Sequence, residues 1–133
     1  MNILPVLLKD GYKTGHKHQY PKDTTQIYSN LTPRNTRRED NTTEIVWFGL
    51  QFFALEYLIR QFNENFFGRP RGEVYHQYKR RMDNYLGKDA MDCSHIGELH
   101  ELGYLPLQIK ALPEGTLVPY GIPALTIVNT QDR

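Results

Sequence analysis

Between Leu50 and Phe62 the chain has little freedom. Apolar residues fall at Leu50, Phe53, Ala54, Tyr57 and Leu58, which is helical spacing. A second apolar set falls at Phe52, Leu55, Ile59 and Phe62. Together they leave a narrow polar stripe that includes Glu56 and Arg60, one turn apart. A helix this apolar is expected to be buried on more than one side. The default expectation is the middle of the domain; the other possibility is a subunit contact.

The remaining elements follow from period and punctuation. Ile3 to Leu8 reads as a short strand or one helical turn docking the terminus. Ile27, Ser29 and Leu31 alternate with Tyr28, Asn30 and Thr32, a strand that Pro33 ends. Arg34 to Thr43 is polar and reads as an exposed loop, and Glu44 to Phe48 as a second short strand. After the break at Gly68-Arg69-Pro70-Arg71-Gly72, residues Val74 or Tyr75, Tyr78, Met82, Tyr85 and Leu86 mark a second helix ended by Gly87. Ser94 is placed to cap a third helix that Gly103 stops. Leu105, Leu107, Ile109 and Ala111 share one face of a strand, and Leu117 to Pro119 and Ala124 to Val128 give two more. Strands at both ends with helices between predict an α+β domain over residues 1–133, with a mainly antiparallel sheet and about three helices.

Charge excludes some functions. Sixteen basic and fifteen acidic residues leave a formal charge of +1 in 133 residues. That balance argues against nucleic-acid binding by bulk electrostatics. Arg69, Arg71, Lys79, Arg80 and Arg81, interleaved with tyrosines, are therefore read as a solvated helix face rather than an RNA surface. Cys93 is the single cysteine, so no internal disulfide exists, and a structural thiol in a reducing compartment fits. The apolar start is too short to span a membrane and lacks secretory features, which predicts a cytoplasmic protein. The sequons at Asn30 and Asn41 are then chance matches.

The stretch from Asp10 to Pro21 is different in kind. It packs carboxylate, ammonium, imidazole and phenol groups into twelve residues with almost no aliphatic content. On chemistry alone it is a polar surface loop or short helix, punctuated by Gly11, Gly15 and Pro21. Its alternative use is ligand contact, with rings to stack on a planar group and cations to meet an anion. His16 and His18 would share a face on a strand, but two histidines make no metal site and Asp10 is not clearly a third ligand. No protein-bound metal is expected.

Three stretches carry a family resemblance. Asp10, Tyr12-Lys13, His16 and Gln19-Tyr20-Pro21 resemble the opening of nicotinamide phosphoribosyltransferases. Trp47-Phe48-Gly49-Leu50-Gln51 resembles that family's helix start. The segment from Gly103 through Asn129-Thr130 resembles its strand-turn-strand block. The matches come in family order, while Phe62 to Leu102 matches nothing. The family is longer, so the resemblance implies an amino-terminal portion without the downstream α/β barrel. It implies transfer of phosphoribosyl from phosphoribosyl pyrophosphate to nicotinamide, giving nicotinamide mononucleotide and pyrophosphate in NAD salvage. Magnesium and ATP are implied for the parent enzyme, and a homodimer with shared active sites. Tyr12 then matches the ring that stacks on nicotinamide, Arg34 a residue at the phosphoribosyl phosphate, and Asp10 a neighbour lining the same pocket. Lys13 and His16 match the motif with no role assigned, and no catalytic residue is expected in this chain, which alone is expected to be inactive. A nicotinate phosphoribosyltransferase portion and a non-catalytic binding or dimerisation module remain the alternatives.

Overall fold

The computed structural model describes residues 3–36 and 41–131. The loop expected over Arg34 to Thr43 therefore lies partly outside the described residues. The chain divides into two compact units, each assembled from two separated segments. One takes Met1–Gln19 and Gln51–Leu105, the other Tyr20–Leu50 and Pro106–Arg133.

The first unit is helical. The chain enters through a tight turn at Pro5–Leu7 and a 3-10 helix at Gly11–His18. A helical run begins at Leu50–Phe53 (α1) and continues with wider, π-type turns through Ala54–Gln61 and Asn63–Phe67. Helices α2 (Arg71–Leu86) and α3 (Ser94–Leu102) follow. Val74, Tyr78 and Met82 stand one turn apart on α2 and are its buried stripe. They pack with Leu4, Phe66, Cys93 and Ile96 into one core. Fully burying side chains such as Val74 and Phe66 stabilises the unit by roughly 1.5–3 kcal/mol each. Gly103 ends α3 in the left-handed region, where a Cβ is disfavoured. Ser94 is not the cap. It is the first helical residue, and the Asp92 carboxylate accepts its N–H at 2.9 Å and its hydroxyl at 2.8 Å.

The default expectation for the apolar helix, the middle of the domain, is overturned. Phe52, Phe53, Leu55, Tyr57 and Ile59 are all exposed, Leu55 by 64%. Only Phe66, near the far end of the run, is fully buried. The reason is geometric. The core of this unit takes the run only at its far end, where Phe66 is buried and Phe62 and Phe67 pack beside it. Arg60 runs along the surface of this helix, its Nε 2.7 Å from Glu56 and its Nη1 2.8 Å from Glu64.

The second unit is a pair of small antiparallel sheets. Strands β1 (Tyr28–Leu31), β3 (Leu107–Ala111) and β5 (Leu125–Asn129) form one, in the order β1-β5-β3. Tyr28 pairs with Val128 and Ile109 with Ile127. Strands β2 (Glu44–Val46) and β4 (Leu117–Pro119) form the other, Ile45 opposite Val118. Trp47, Val118, Ala124 and Leu125 are its buried core. Pleat alternation puts Ile45, Ile109 and Ile127 against that core. The α+β class with antiparallel pairing is thus as expected, and the described residues close no barrel.

Candidate functional site

Asp10 and Tyr12 open the 3-10 helix Gly11–His18. The Asp10 backbone is extended and its carbonyl accepts the Lys13 N–H at 3.0 Å. Its carboxylate makes no capping bond to the helix. Tyr12 is 64% exposed, as are other rings of this chain such as Phe52 at 67%. The His16 ring lies 5.6 Å from it, tilted by 50°. The Lys13 ammonium stands 5.2 Å from the Tyr12 centroid, within cation–π range. The helix therefore presents a carboxylate, an open aromatic face and a cation within one turn. His16 and His18 do not share a face as they would on a strand, because this segment is helical.

The helix is packed from beneath and fastened at its far end. Thr14 is buried and its hydroxyl donates to the Gly11 carbonyl at 2.8 Å. Gly11 lies so close to Tyr85 of α2 that a Cβ there would stand 2.8 Å from the ring's Cζ. At the other end the Lys17 ammonium donates to the Asp92 carbonyl at 2.7 Å and stands 3.5 Å from the Asp92 carboxylate and 3.2 Å from His95 Nδ1. An ammonium only donates, so Nδ1 must be the unprotonated nitrogen of a neutral imidazole. Burial, with Lys17 and Lys9 nearby, depresses the His95 pKa to about 4. The Asp92 carboxyl is lowered to about 2, first by the two bonds from Ser94 and then by Lys17. Lys9 reaches the Tyr78 hydroxyl at 3.3 Å, and Tyr78 stands edge-on to His95.

Arg34 belongs to the other unit. It is exposed on the segment leaving β1. That segment is fixed by the Ala124 N–H to Leu31 carbonyl bond at 2.9 Å and the Gly121 N–H to Pro33 carbonyl bond at 2.8 Å. The same unit ties the Trp47-Phe48-Gly49 stretch to the Pro113–Gly115 turn. Gly115 N–H donates to the Trp47 carbonyl at 2.8 Å, and Gly49 N–H to Glu114 Oε1 at 3.1 Å. Two of the stretches singled out in the sequence are therefore neighbours in space.

The basic segment is largely neutralised. Lys79 bridges Asp83 at 2.8 Å and Asp89 at 2.6 Å, and Arg71 meets Glu101 at 3.0 Å. An open cleft of about 430 Å³ lined by His76, Lys79, Arg80, Asp83, Asn84 and Lys88 lies along this helix and includes none of the candidate residues. Cys93 is buried and its thiol is pushed up by burial, as a structural thiol should be. Among the described residues no three His, Cys, Asp or Glu side chains converge to hold a metal ion. Among the same residues no helix is long and apolar enough to cross a membrane. Lys17 and His95 were not singled out in the sequence. The opening motif leaves the Lys17 position open, and His95 lies 78 residues away.

A family model described as "Nicotinamide phosphoribosyltransferase, N-terminal domain" matches residues 2–109. That interval includes residues 62–102, for which the motifs offered no correspondence. The chain is also similar to a protein of Acinetobacter baylyi named nicotinamide phosphoribosyltransferase, 48% identical over 133 aligned positions. The alignment covers 97% of this chain and 26% of that protein, so the chain spans about a quarter of the length of the curated relative it matches.

Proposed function

The chain belongs to the nicotinamide phosphoribosyltransferase family, in which it carries the N-terminal domain, and from this premise we propose that it forms the amino-terminal part of an enzyme making nicotinamide mononucleotide. The observation that carries the reading is the open Tyr12 ring on a fixed helix inside the matched interval. Nicotinamide is flat and uncharged at its ring, so a tyrosine face suits it.

In the proposed reaction the pyridine nitrogen of nicotinamide gives its lone pair to C1 of the ribose. The bond from that carbon to the pyrophosphate oxygen breaks, and pyrophosphate leaves with the electron pair. The product ring is a cationic pyridinium. The transition state resembles an oxocarbenium ion, so positioning and charge stabilisation contribute more than a protein nucleophile. Tyr12 holds the nicotinamide ring, Asp10 lines the same pocket, and Arg34 meets the phosphoribosyl phosphate with paired donors. Magnesium and ATP belong to the proposed parent enzyme. A cytoplasmic homodimer with shared sites completes the proposal. A lone buried cysteine fits a reducing compartment.

Tyr12 provides the test. Tyr12→Phe keeps the ring and should retain most activity in the complete enzyme. Tyr12→Ala should lose roughly 0.5–1.5 kcal/mol of ring contact beyond its area burial, seen as a raised KM for nicotinamide. An unchanged nicotinamide KM in Tyr12→Ala would remove the ring from the site.

A further inference from the structure

A 3-10 run of eight residues is long for its kind. Such runs rarely exceed about 3–4 residues, because side chains eclipse and the hydrogen bonds are poorly aligned. Gly11–His18 contains two glycines and, apart from Thr14, no buried residue. Its conformation must therefore be imposed from outside. At its start the helix runs close to the Tyr85 side chain, leaving no room for a Cβ at Gly11. The hold at the far end is the Lys17 ammonium, which faces three acceptors at the start of α3: the Asp92 carbonyl, the Asp92 carboxylate and His95 Nδ1. Asp92 is itself fixed by its two bonds from Ser94, so the acceptors are in place before the lysine arrives. Tyr12 lies on the stretch between Gly11 and Lys17 with its ring exposed.

We propose that Lys17 is a positioning residue for nicotinamide: by fastening the end of the Gly11–His18 helix to the start of α3, it fixes the direction in which Tyr12 is presented. The role rests on the reading that Tyr12 meets nicotinamide. Lys17 touches no substrate and acts only through the backbone it fastens. Its loss should therefore weaken capture of the one ligand that Tyr12 contacts, and leave the phosphoribosyl pyrophosphate side alone.

Two measurements on Lys17→Met test this. Hydrogen exchange of the amides of residues 11–18 should quicken while those of Val74, Tyr78 and Met82 in α2 hold their rates. In the complete enzyme the nicotinamide KM should rise about tenfold, the scale of a lost hydrogen bond to a charged group, with kcat and the phosphoribosyl pyrophosphate KM within about twofold. Lys17→Arg, which keeps a cationic donor, should stay near the parent in both. Should Lys17→Met melt the α2 amides as well, Lys17→Gln, which keeps a donor for the Asp92 carbonyl, carries the same comparison. Unchanged exchange at residues 11–18 overturns the fastening. A loss shared equally between both substrates overturns the positioning role. Tyr12→Ala in the same assay separates the two ideas. If it raises the nicotinamide KM and the Lys17 variants do not, only the Lys17 role fails. If Tyr12→Ala also changes nothing, the Tyr12 reading fails and the Lys17 role goes with it.

Discussion

His95 shows how much a single side chain can reveal about its surroundings. Lys17 donates to Nδ1, Tyr78 stands edge-on to the ring, and Lys9, Asp92 and His18 act on it electrostatically. Its pKa falls from 6.5 to about 4, chiefly through burial. The unfolded chain then binds a proton that the folded chain refuses, so stability rises with pH across that window and is lost as pH falls from 6.5 toward 4. Urea midpoints of the 133-residue chain should drop between about pH 7 and pH 5, and His95→Gln should flatten that slope. An identical slope in the variant would show that His95 is not the group responsible. Arg34 offers a second residue-scale test. If it grips a phosphate with two parallel donors, lysine cannot replace it. Arg34→Lys in the complete enzyme should raise the phosphoribosyl pyrophosphate KM by several-fold and leave the nicotinamide KM unchanged. Kinetics unaltered for both substrates would take Arg34 out of the site. Tyr12 and Arg34 were singled out in the sequence only through motif likeness. Lys17 was not, because its three acceptors lie 75 and 78 residues away and no local pattern announces them.

Elements were legible where their ends are punctuated by backbone chemistry. Gly87 and Gly103 close α2 and α3, and both take positive φ. Strands β3, β4 and β5 follow their alternation and are separated by Pro113-Glu114-Gly115 and Tyr120-Gly121. The helix from Leu50 was legible as a helix, but its expected place in the middle of the domain was not met, because the core reaches only its far end at Phe66. The correction makes a direct prediction. Exposed positions away from special features tolerate substitution within about 0.5 kcal/mol. Phe52→Gln and Leu55→Gln should therefore leave the urea midpoint of this chain nearly unmoved, while Phe66→Ala in the same run should cost about 3–5 kcal/mol. A large loss from Leu55→Gln would return that face to the interior.

At the scale of the whole molecule, each unit is built from two stretches of chain, and the backbone passes between units after Gln19, Leu50 and Leu105. Such interleaving cannot be read from local pattern. Composition and length suggested one domain, whereas the division depends on contacts between distant segments. The proposed activity also belongs to this scale. The chain spans 26% of its relative, and the proposal assigns Arg34 and Tyr12 only two contacts of a two-substrate reaction. The purified 133-residue chain should make no nicotinamide mononucleotide above background in a product assay. Turnover by this chain, freed of host enzyme, would refute that expectation. In the proposed shared-site homodimer, a Tyr12→Ala subunit paired with one inactivated elsewhere should regain one working site. A heterodimer no more active than either homodimer would exclude the sharing.

The pairing of β1 with β5 sets a clock on synthesis. Tyr28 faces Val128, one hundred positions later. At roughly 5–20 residues per second, β1 leaves the ribosome some 5–20 seconds before its partner exists. Throughout that interval its edge is unsatisfied, and it is open to any strand that comes near.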